Sequence, residues 1–144
     1  MPIKATEIAD ALVAQMAANG DIAAEFTGKI GKGFGKNFNF NVDGQGIRVY
    51  LVSNDPDYIN VTNQTEIVWY SFFIIVLFSD NDDVSAEDRK AKYDSWVRAA
   101  VKSDLSLGGK ALNVEFGPTR YKEDPKSDVF HYILIQASVQ SYEQ

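Results

Sequence analysis

The longest apolar run in the chain, Ile67–Phe78, is interrupted only by Ser71 and is rich in β-branched and aromatic residues. A membrane-spanning helix needs about 20 apolar residues, so this run is too short to cross a bilayer as a helix. Its composition predicts a strand from about Glu66 to Phe78 that is buried on both faces for part of its length. Because such a strand would extend about 40 Å, at about 3.3 Å per residue, we expect a bulge or a protruding end.

An acidic turn and an amphipathic helix follow this strand. Ser85 is the predicted N-cap of the helix, with Asp88 as its capping-box partner. Asp88–Lys92 and Asp94–Arg98 are expected to form ion pairs between residues four apart on the helix surface. The predicted apolar face of the helix consists of Tyr93, Trp96, Val97, Ala100 and Val101.

Other segments predict a second helix and four further strands. A helix is expected from Thr6, as its N-cap, to the stop signal Asn19-Gly20, with Ile8, Leu12 and Met16 on an apolar face that packs against the rest of the protein. Alternation of residue types predicts strands at Asn37–Val42, Ile47–Val52, Leu112–Phe116 and Phe130–Val139. The first two should form a β-hairpin, Gly117-Pro118 should end the third, and a charged loop is expected at residues 122–128. The sequence therefore predicts an α+β fold: a mixed, mainly antiparallel sheet of about five strands, with two helices packed on one face.

The composition restricts the chemistry that is open to the protein. Its 144 residues form one predicted domain, 1–144. The absence of cysteine excludes disulfides and thiolate chemistry, and the single histidine, His131, has no recognisable acid or nucleophile partner. The net charge of −6 argues against a protein that grips phosphate backbones over a broad surface. We therefore expect no enzymatic activity, no cofactor and no metal, and a structural role for His131.

Two segments resemble ligand-binding motifs but are interpreted as loops. Gly31–Gly35 lacks the spacing of a phosphate-binding P-loop and precedes a strand instead of a helix. Its glycines give the free chain a large backbone entropy, so we expect a mobile basic loop that orders on a partner. The cluster Asp80, Asp82 and Asp83 lacks the glycine and the distal glutamate of a calcium loop, and is expected to be a solvated turn.

Four aromatic residues lie within five positions of the long strand: Trp69, Tyr70, Phe72 and Phe73. With only two helices to cover the sheet, one of its faces is expected to be undercovered. We therefore predict that the protein oligomerises through the sheet or its edges. These four aromatic residues and the last strand are the candidate subunit contacts.

The order of elements in the second half resembles the tail terminator proteins (tail completion, head–tail joining) of long-tailed bacteriophages. The resemblance covers about residues 60 to 142. It rests on the aromatic strand, the acidic turn, a helix that ends in SDLSLGG, and a strand that leads into TRYKEDPKSDVFHYILIQASVQ. The first half is compatible, since these proteins often open with a helix like EIADALVAQMA.

This resemblance implies a structural role without cofactor or catalysis. Members of the family form a six-fold ring that stops polymerisation of the tail tube and presents the surface to which the filled head docks. The implied partners are other copies of the chain in a homohexamer, the tail tube protein, and a head-completion or connector protein, with no membrane. The implied location is the virion, at the head-proximal end of the tail, after assembly in the host cytoplasm.

Two loops are candidate docking sites for tube or neck proteins. Their candidate residues are Lys29, Lys32, Phe34 and Lys36 in a glycine–lysine loop, and Asp55 and Asp57 in the loop from Asp55 to Thr65. Both loops are expected to be mobile in the free protein and ordered in the assembly.

In such a ring, DNA would be a partner only in transit through the lumen. Six copies at −6 each would carry −36, and an acidic lumen would let DNA pass without adhering. A lumen lined by Lys29, Lys32 and Lys36 would contradict this hypothesis.

Two alternatives remain compatible with the sequence. Another phage neck component, a head-closure or adaptor protein, would share the size and the acidity. A small ligand-binding module that uses the glycine-rich loop would instead have a concave apolar pocket and would show no concentration-dependent association.

Overall fold

The computed structural model describes residues 4–33, 45–56, 66–124 and 127–143. Within them, the helices are α1 (Lys4–Ala18), α2 (Gly20–Phe26) and α3 (Asp83–Lys102). The strands are β1 (Ile30–Lys32), β2 (Gln45–Pro56), β3 (Glu66–Ser79), β4 (Asn113–Asp124) and β5 (Ser127–Glu143). The predicted α+β class with a mixed, mainly antiparallel five-stranded sheet is confirmed, and α2 is a short helix beyond the two predicted. The predicted strand Asn37–Val42 lies outside the described residues.

One sheet joins these strands in the order β1-β2-β3-β5-β4. β1 is parallel to β2, and the other neighbouring strands are antiparallel. β3 lies at the centre and pairs along its length with both β2 and β5. The expected irregularity occurs beside β3 and not within it, because the register of β2 shifts between Leu51 and Ser53.

The helices cover one face of the sheet. Alternate residues of β3, from Val68 to Phe78, and of β5, from Ile133 to Val139, form one buried apolar cluster with the helices. The helices contribute most of their predicted apolar faces to it: Ile8, Leu12 and Met16 of α1, and Tyr93, Val97, Ala100 and Val101 of α3. Gln15 joins the two long helices, since its Nε2 donates to the carbonyl oxygens of Ala100 (3.2 Å) and Val101 (3.1 Å).

The N-terminus of α3 lies earlier than predicted. Asp82 is the N-cap, and its Oδ1 accepts hydrogen bonds from the backbone N–H groups of Val84 (2.9 Å) and Ser85 (3.0 Å). The prediction of Ser85 as the N-cap is therefore wrong. A carboxylate at position 82 satisfies two of the N–H groups that a helix start leaves without partners. The Ser85 hydroxyl instead donates to Asp80 Oδ2 at 2.6 Å.

Other element boundaries also differ from the predictions. α1 begins at Lys4 and not after Thr6. Gly117-Pro118 does not end β4, which continues past them through a register shift between Phe116 and Thr119. A Cβ at Gly117 would lie 2.8 Å from Gln136 Oε1, so a larger residue there would have to displace the Gln136 side chain. Both β4 and β5 extend into the predicted charged loop. Long-range pairing of the two strands sets these limits, and local turn residues do not reveal it.

The turn after α3 is fixed by one aspartate and one buried leucine. Asp104 accepts hydrogen bonds from the backbone N–H groups of Ser106 (3.0 Å) and Gly108 (2.9 Å). Leu107, Gly108 and Gly109 have φ angles of 49°, 69° and 86°, a region that glycine enters without steric strain. Leu107 is only 1% exposed and belongs to the core. The Leu-Gly-Gly segment thus anchors the chain to the core between α3 and β4.

We predict that Leu107→Ala lowers the free energy of unfolding by about 2–5 kcal/mol, because it removes a buried side chain and leaves a cavity. Leu105→Ala is the matched control: Leu105 lies in the same turn but is 42% exposed, so its loss should be within about 0.5 kcal/mol. Urea unfolding measures both. Equal losses for the two variants would show that the turn is not anchored through Leu107.

Candidate assembly interface

The face of the sheet opposite the helices has no described helix packed on it, and we call it the open face. The pairing register assigns its side chains, because directly paired residues point to the same side of a sheet. In the described part of the chain it includes Arg48, Tyr50, Asp55, Ile67, Trp69, Ser71, Phe73, Ile75, Leu77, Glu115, Arg120, Lys122, Tyr132, Leu134, Gln136, Ser138, Gln140 and Tyr142. Ile67, Ile75 and Leu77 are buried but do not belong to the core cluster beneath the helices. β3 is therefore apolar on both of its faces.

The four aromatic candidates divide between the two faces. Tyr70 and Phe72 lie beneath the helices at 2% and 0% exposure, so they have almost no surface to offer a neighbouring subunit. Trp69 and Phe73 lie on the open face and are half-buried. Of the four aromatic residues, only Trp69 and Phe73 therefore remain candidates for a subunit contact, and that role stays a prediction.

Charge is unevenly distributed over the open face. Arg120 and Lys122 of β4 are exposed and pair in register with Leu134 and Tyr132 of β5; we call these four residues the basic corner. Neither cation forms an ion pair or a side-chain hydrogen bond with the residues that the structure describes. Glu115 lies on the same strand and face, about 20 Å along the sheet from Lys122. Among the side chains that the structure describes, one end of this face is therefore basic and apolar.

The N-terminal half of α3 is held against the sheet by Arg89. Its Nη1 donates to the carbonyl oxygen of Ser79 (2.9 Å) and to Asp80 Oδ2 (3.2 Å), and its Nη2 donates to Gln45 Oε1 (3.1 Å). The guanidinium carbon also lies 4.7 Å from the centre of the Phe78 ring. Arg89 thus joins α3 to the beginning of β2 and the end of β3.

A second group of contacts extends this network to α2. Arg89 Nε donates to the Tyr93 hydroxyl (2.9 Å), which donates to Glu25 Oε2 (2.6 Å). Burial and the hydrogen bond to Glu25 raise the pKa of Tyr93 to about 12. Burial acts to raise the pKa of Glu25, but the hydrogen bonds from Tyr93 and Lys92 outweigh it and lower that pKa. The hydroxyl therefore stays protonated and the carboxylate charged at neutral pH, as this geometry requires.

The network leaves one acidic surface of α3 without partners. Lys92 pairs with Glu25 at 3.2 Å and not with Asp88, so the expected Asp88–Lys92 pair is wrong, whereas Asp94–Arg98 forms at 3.1 Å. Asp83 and Asp88 are exposed and make no side-chain contact with other described residues. Val84 is 74% exposed beside them. We call Asp83, Val84 and Asp88 the acidic shoulder.

The residues assigned to docking loops are described only in part, and two of them, Lys32 and Asp55, lie in paired strands and not in loops. Lys32 lies in β1 and pairs with Asp10 of α1 at 2.8 Å, and Lys29 precedes β1. Asp55 lies in β2 and accepts a hydrogen bond from Ser53 at 3.1 Å. Phe34, Lys36 and Asp57 lie outside the described residues. A cavity of about 280 Å³ lies beside β1, between α1 and β2, with mainly apolar lining residues; its only described charged residue is Lys32.

His131 has contacts of the kind expected for a structural residue. It is 2% exposed, its Nε2 lies 3.1 Å from the carbonyl oxygen of Asp80, and its ring stacks on Phe78 at 5.1 Å. Among the described residues, no group of three or more potential ligands could hold a metal ion. The described helices include none with the length and hydrophobicity to span a membrane.

Sequence reasoning missed the network around Arg89. Its members come from α2, β2, α3 and the segment after β3, so no local spacing indicates it. The single available signal is the four-residue separation of Arg89 and Tyr93 on one helix face. That spacing predicts their contact but not the partners from the other segments.

No protein family and no curated protein sequence matches the chain. Among solved structures, a chain in the virion of a native gene transfer agent particle has the same fold. The TM-score is 0.60 at 12% sequence identity, over 99% of this chain and 100% of that chain. A second solved structure has a TM-score of 0.45 at 19% identity, over 94% of this chain and 95% of that chain, and no conclusion rests on it.

The ionisation of Asp80 is expected to make the stability of the folded protein depend on pH. Hydrogen bonds from the Ser85 hydroxyl, the Asp82 N–H and Arg89 lower its pKa from 3.8 to about 2. Their stabilising effect is complete above the unfolded-state pKa and is lost as the pH falls through about 2. We expect the urea midpoint to fall more steeply between pH 4 and pH 2 in the wild type than in Asp80→Asn.

The control for this measurement is Asp83→Asn, which removes a carboxylate that has no side-chain contact with other described residues. It should keep the wild-type slope. Equal slopes for wild type and Asp80→Asn would show that the hydrogen bonds to Asp80 do not stabilise the folded state.

Proposed function

We propose that this chain is a structural protein of a phage-like virion, which forms a ring at the head-proximal end of the tail. The ring ends polymerisation of the tail tube and forms the joint to the head connector. The observation that supports this proposal is the match in fold, over the whole length of both chains, with a protein of a gene transfer agent virion. Gene transfer agents are phage-like particles. The order of elements in the sequence, which resembles that of tail terminator proteins, supports the same proposal.

The open face gives physical support for a role in assembly. Trp69 and Phe73 are half-buried on this face, whereas Ile67, Ile75 and Leu77 are already buried within the subunit. Burying the remaining apolar surface against a neighbour would be favourable by roughly 25 cal/mol per Å². Phe73 lies at the centre of β3, in register with Tyr50 and Gln136. Trp69 lies nearer the start of the strand, in register with Asp55 and Gln140. A neighbouring subunit would bury these side chains.

A ring requires heterologous contacts, in which one patch of a subunit meets a different patch on the next. The described surface is asymmetric in this sense: one layer of the molecule is helical, and the other is the open face with its charged ends. The ring's partners in this function are the tail tube protein on one side and a head-completion or connector protein on the other, with DNA passing through the lumen.

Light scattering over a concentration series, with purified tail tubes in a parallel run, tests the function. We expect either a six-fold ring in solution or a monomer that binds tube ends and stops their growth. Trp69→Asp is expected to weaken both behaviours, because it places a charge in the proposed contact. Leu105→Asp is the control, since Leu105 is exposed on the turn after α3, away from the open face.

A protein that stays monomeric at every concentration and does not bind tubes would contradict the proposal. The ligand-binding module would then be the better interpretation, and the cavity beside β1 would be the place to search for its ligand.

A further inference from the structure

We propose that the acidic shoulder of one subunit docks on the basic corner of the next, as a head-to-tail contact between copies of this chain. The inference rests on the proposed ring function and specifies which surfaces meet. The contact is inferred from two surface patches of opposite charge. They lie on opposite layers of the subunit, and each patch has apolar side chains at its centre.

The basic corner combines exposed cations with half-buried apolar side chains, as a docking surface for an acidic partner would. Arg120 and Lys122 are exposed on β4 and have no ion-pair partner among the described residues. Leu134 and Tyr132 lie beside them in register and are half-buried. The two cations thus border the half-buried side chains of Leu134 and Tyr132, while the neighbouring Ile75 and Leu77 of β3 are buried and offer almost no surface.

The acidic shoulder has the complementary composition. Val84 is the most exposed of the large apolar side chains that the structure describes, at 74%. Asp83 and Asp88 lie beside it and form no ion pair or side-chain hydrogen bond with other described residues. A cavity of about 380 Å³ opens next to Val84; it is lined by Asp82, Ser85 and Asp88 and also by Arg89 and Lys92, and Arg89 and Lys92 are engaged with Asp80 and Glu25. An exposed apolar residue among acids on a helix suits a contact with an apolar strip between cations.

The shoulder is rigid enough to specify a contact. Asp82 caps the first turn of α3, and Arg89 fixes the next turn to the ends of β2 and β3. A side chain presented on a helix that is fixed in this way loses little further entropy when it binds. The flanking charge pairs would set the register and speed association more than they increase affinity.

The positions of the two patches make the contact heterologous. The shoulder lies on α3 in the helical layer, and the corner lies on the opposite face of the sheet. One subunit therefore offers one patch to each of two neighbours. If the rotation between successive subunits closes, the result is a ring; if it does not, an open filament forms.

Paired charge reversals test this contact. The corner variant is Arg120→Glu with Lys122→Glu, and the shoulder variant is Asp83→Lys with Asp88→Lys. Either variant alone places like charges in every contact, so we expect at least a tenfold weaker self-association than in wild type. An equimolar mixture should recover wild-type assembly with alternating subunits, because each contact then joins opposite charges. Light scattering, with and without tail tubes, measures all samples.

Lys102→Glu with Lys110→Glu is the control for the change in net charge of the corner variant, because Lys102 lies in the last turn of α3, at the other end from the shoulder, and its Nζ lies 5.7 Å from the Phe116 ring and not beside either patch. It should assemble like wild type. Circular dichroism checks folding, since lysine in the first turn of α3 costs a few tenths of a kcal/mol through the helix dipole.

The outcomes separate this inference from the proposed function. If wild type assembles and either variant alone assembles equally well, or the mixture does not recover, the shoulder–corner contact is overturned while the ring function stands. If wild type associates neither with itself nor with tubes, both are overturned. Recovery in the mixture, together with wild-type assembly of the charge-matched control, supports the contact, because the control excludes an effect of net charge and mixing does not reverse misfolding.

Discussion

The pairing of β3 with both β2 and β5 is the constraint on which the rest of the structure depends. It places an apolar strand of 14 residues at the centre of the sheet, with side chains that alternate onto both faces. The described helices cover one face only, and their buried residues join Phe72, Ile74 and Val76 in one core. The hydrophobic effect therefore acts mainly between β3 and the helices, and on the opposite face Trp69 and Phe73 remain half-buried.

The position of α3 relative to this sheet links the fold to the proposed function. Leu107 anchors the end of the helix to the core, and Arg89 fixes its beginning to the ends of β2 and β3. The charged and hydrogen-bonded groups around Arg89 satisfy one another, as groups removed from water must. The acidic residues around Val84 are not part of this network. Because the network fixes α3, these residues have a defined position on the surface.

The sequence was sufficient for the parts of the structure that depend on periodicity. The four- and eight-residue spacings of Ile8, Leu12 and Met16 predicted the buried face of α1, and the apolar run predicted β3. Alternation along the strand places Trp69 and Phe73 opposite Tyr70 and Phe72, but the prediction assigned all four to the interface. Which of the two pairs faces the helices was not predictable, because tertiary packing decides it.

The sequence did not reveal features in which two residues compete for one role, or in which residues far apart along the chain make contact. Asp82 and Ser85 are both residue types that commonly cap a helix N-terminus. Only the folded structure shows that the Ser85 hydroxyl donates a hydrogen bond to Asp80 and does not cap the helix. The extension of β4 past Gly117-Pro118 needs β5 as a partner. The Arg89 network joins residues as far apart as Gln45 and Arg89, which no local pattern encodes.

The most direct test of the central claim is electron microscopy of particles assembled without this protein. If the chain ends the tail tube and joins it to the head, its removal should give tubes of uncontrolled, excessive length and filled heads without tails. Adding the purified protein back should restore attachment for tubes that have not overgrown. Tails of normal length joined to heads in its absence would contradict the proposed role.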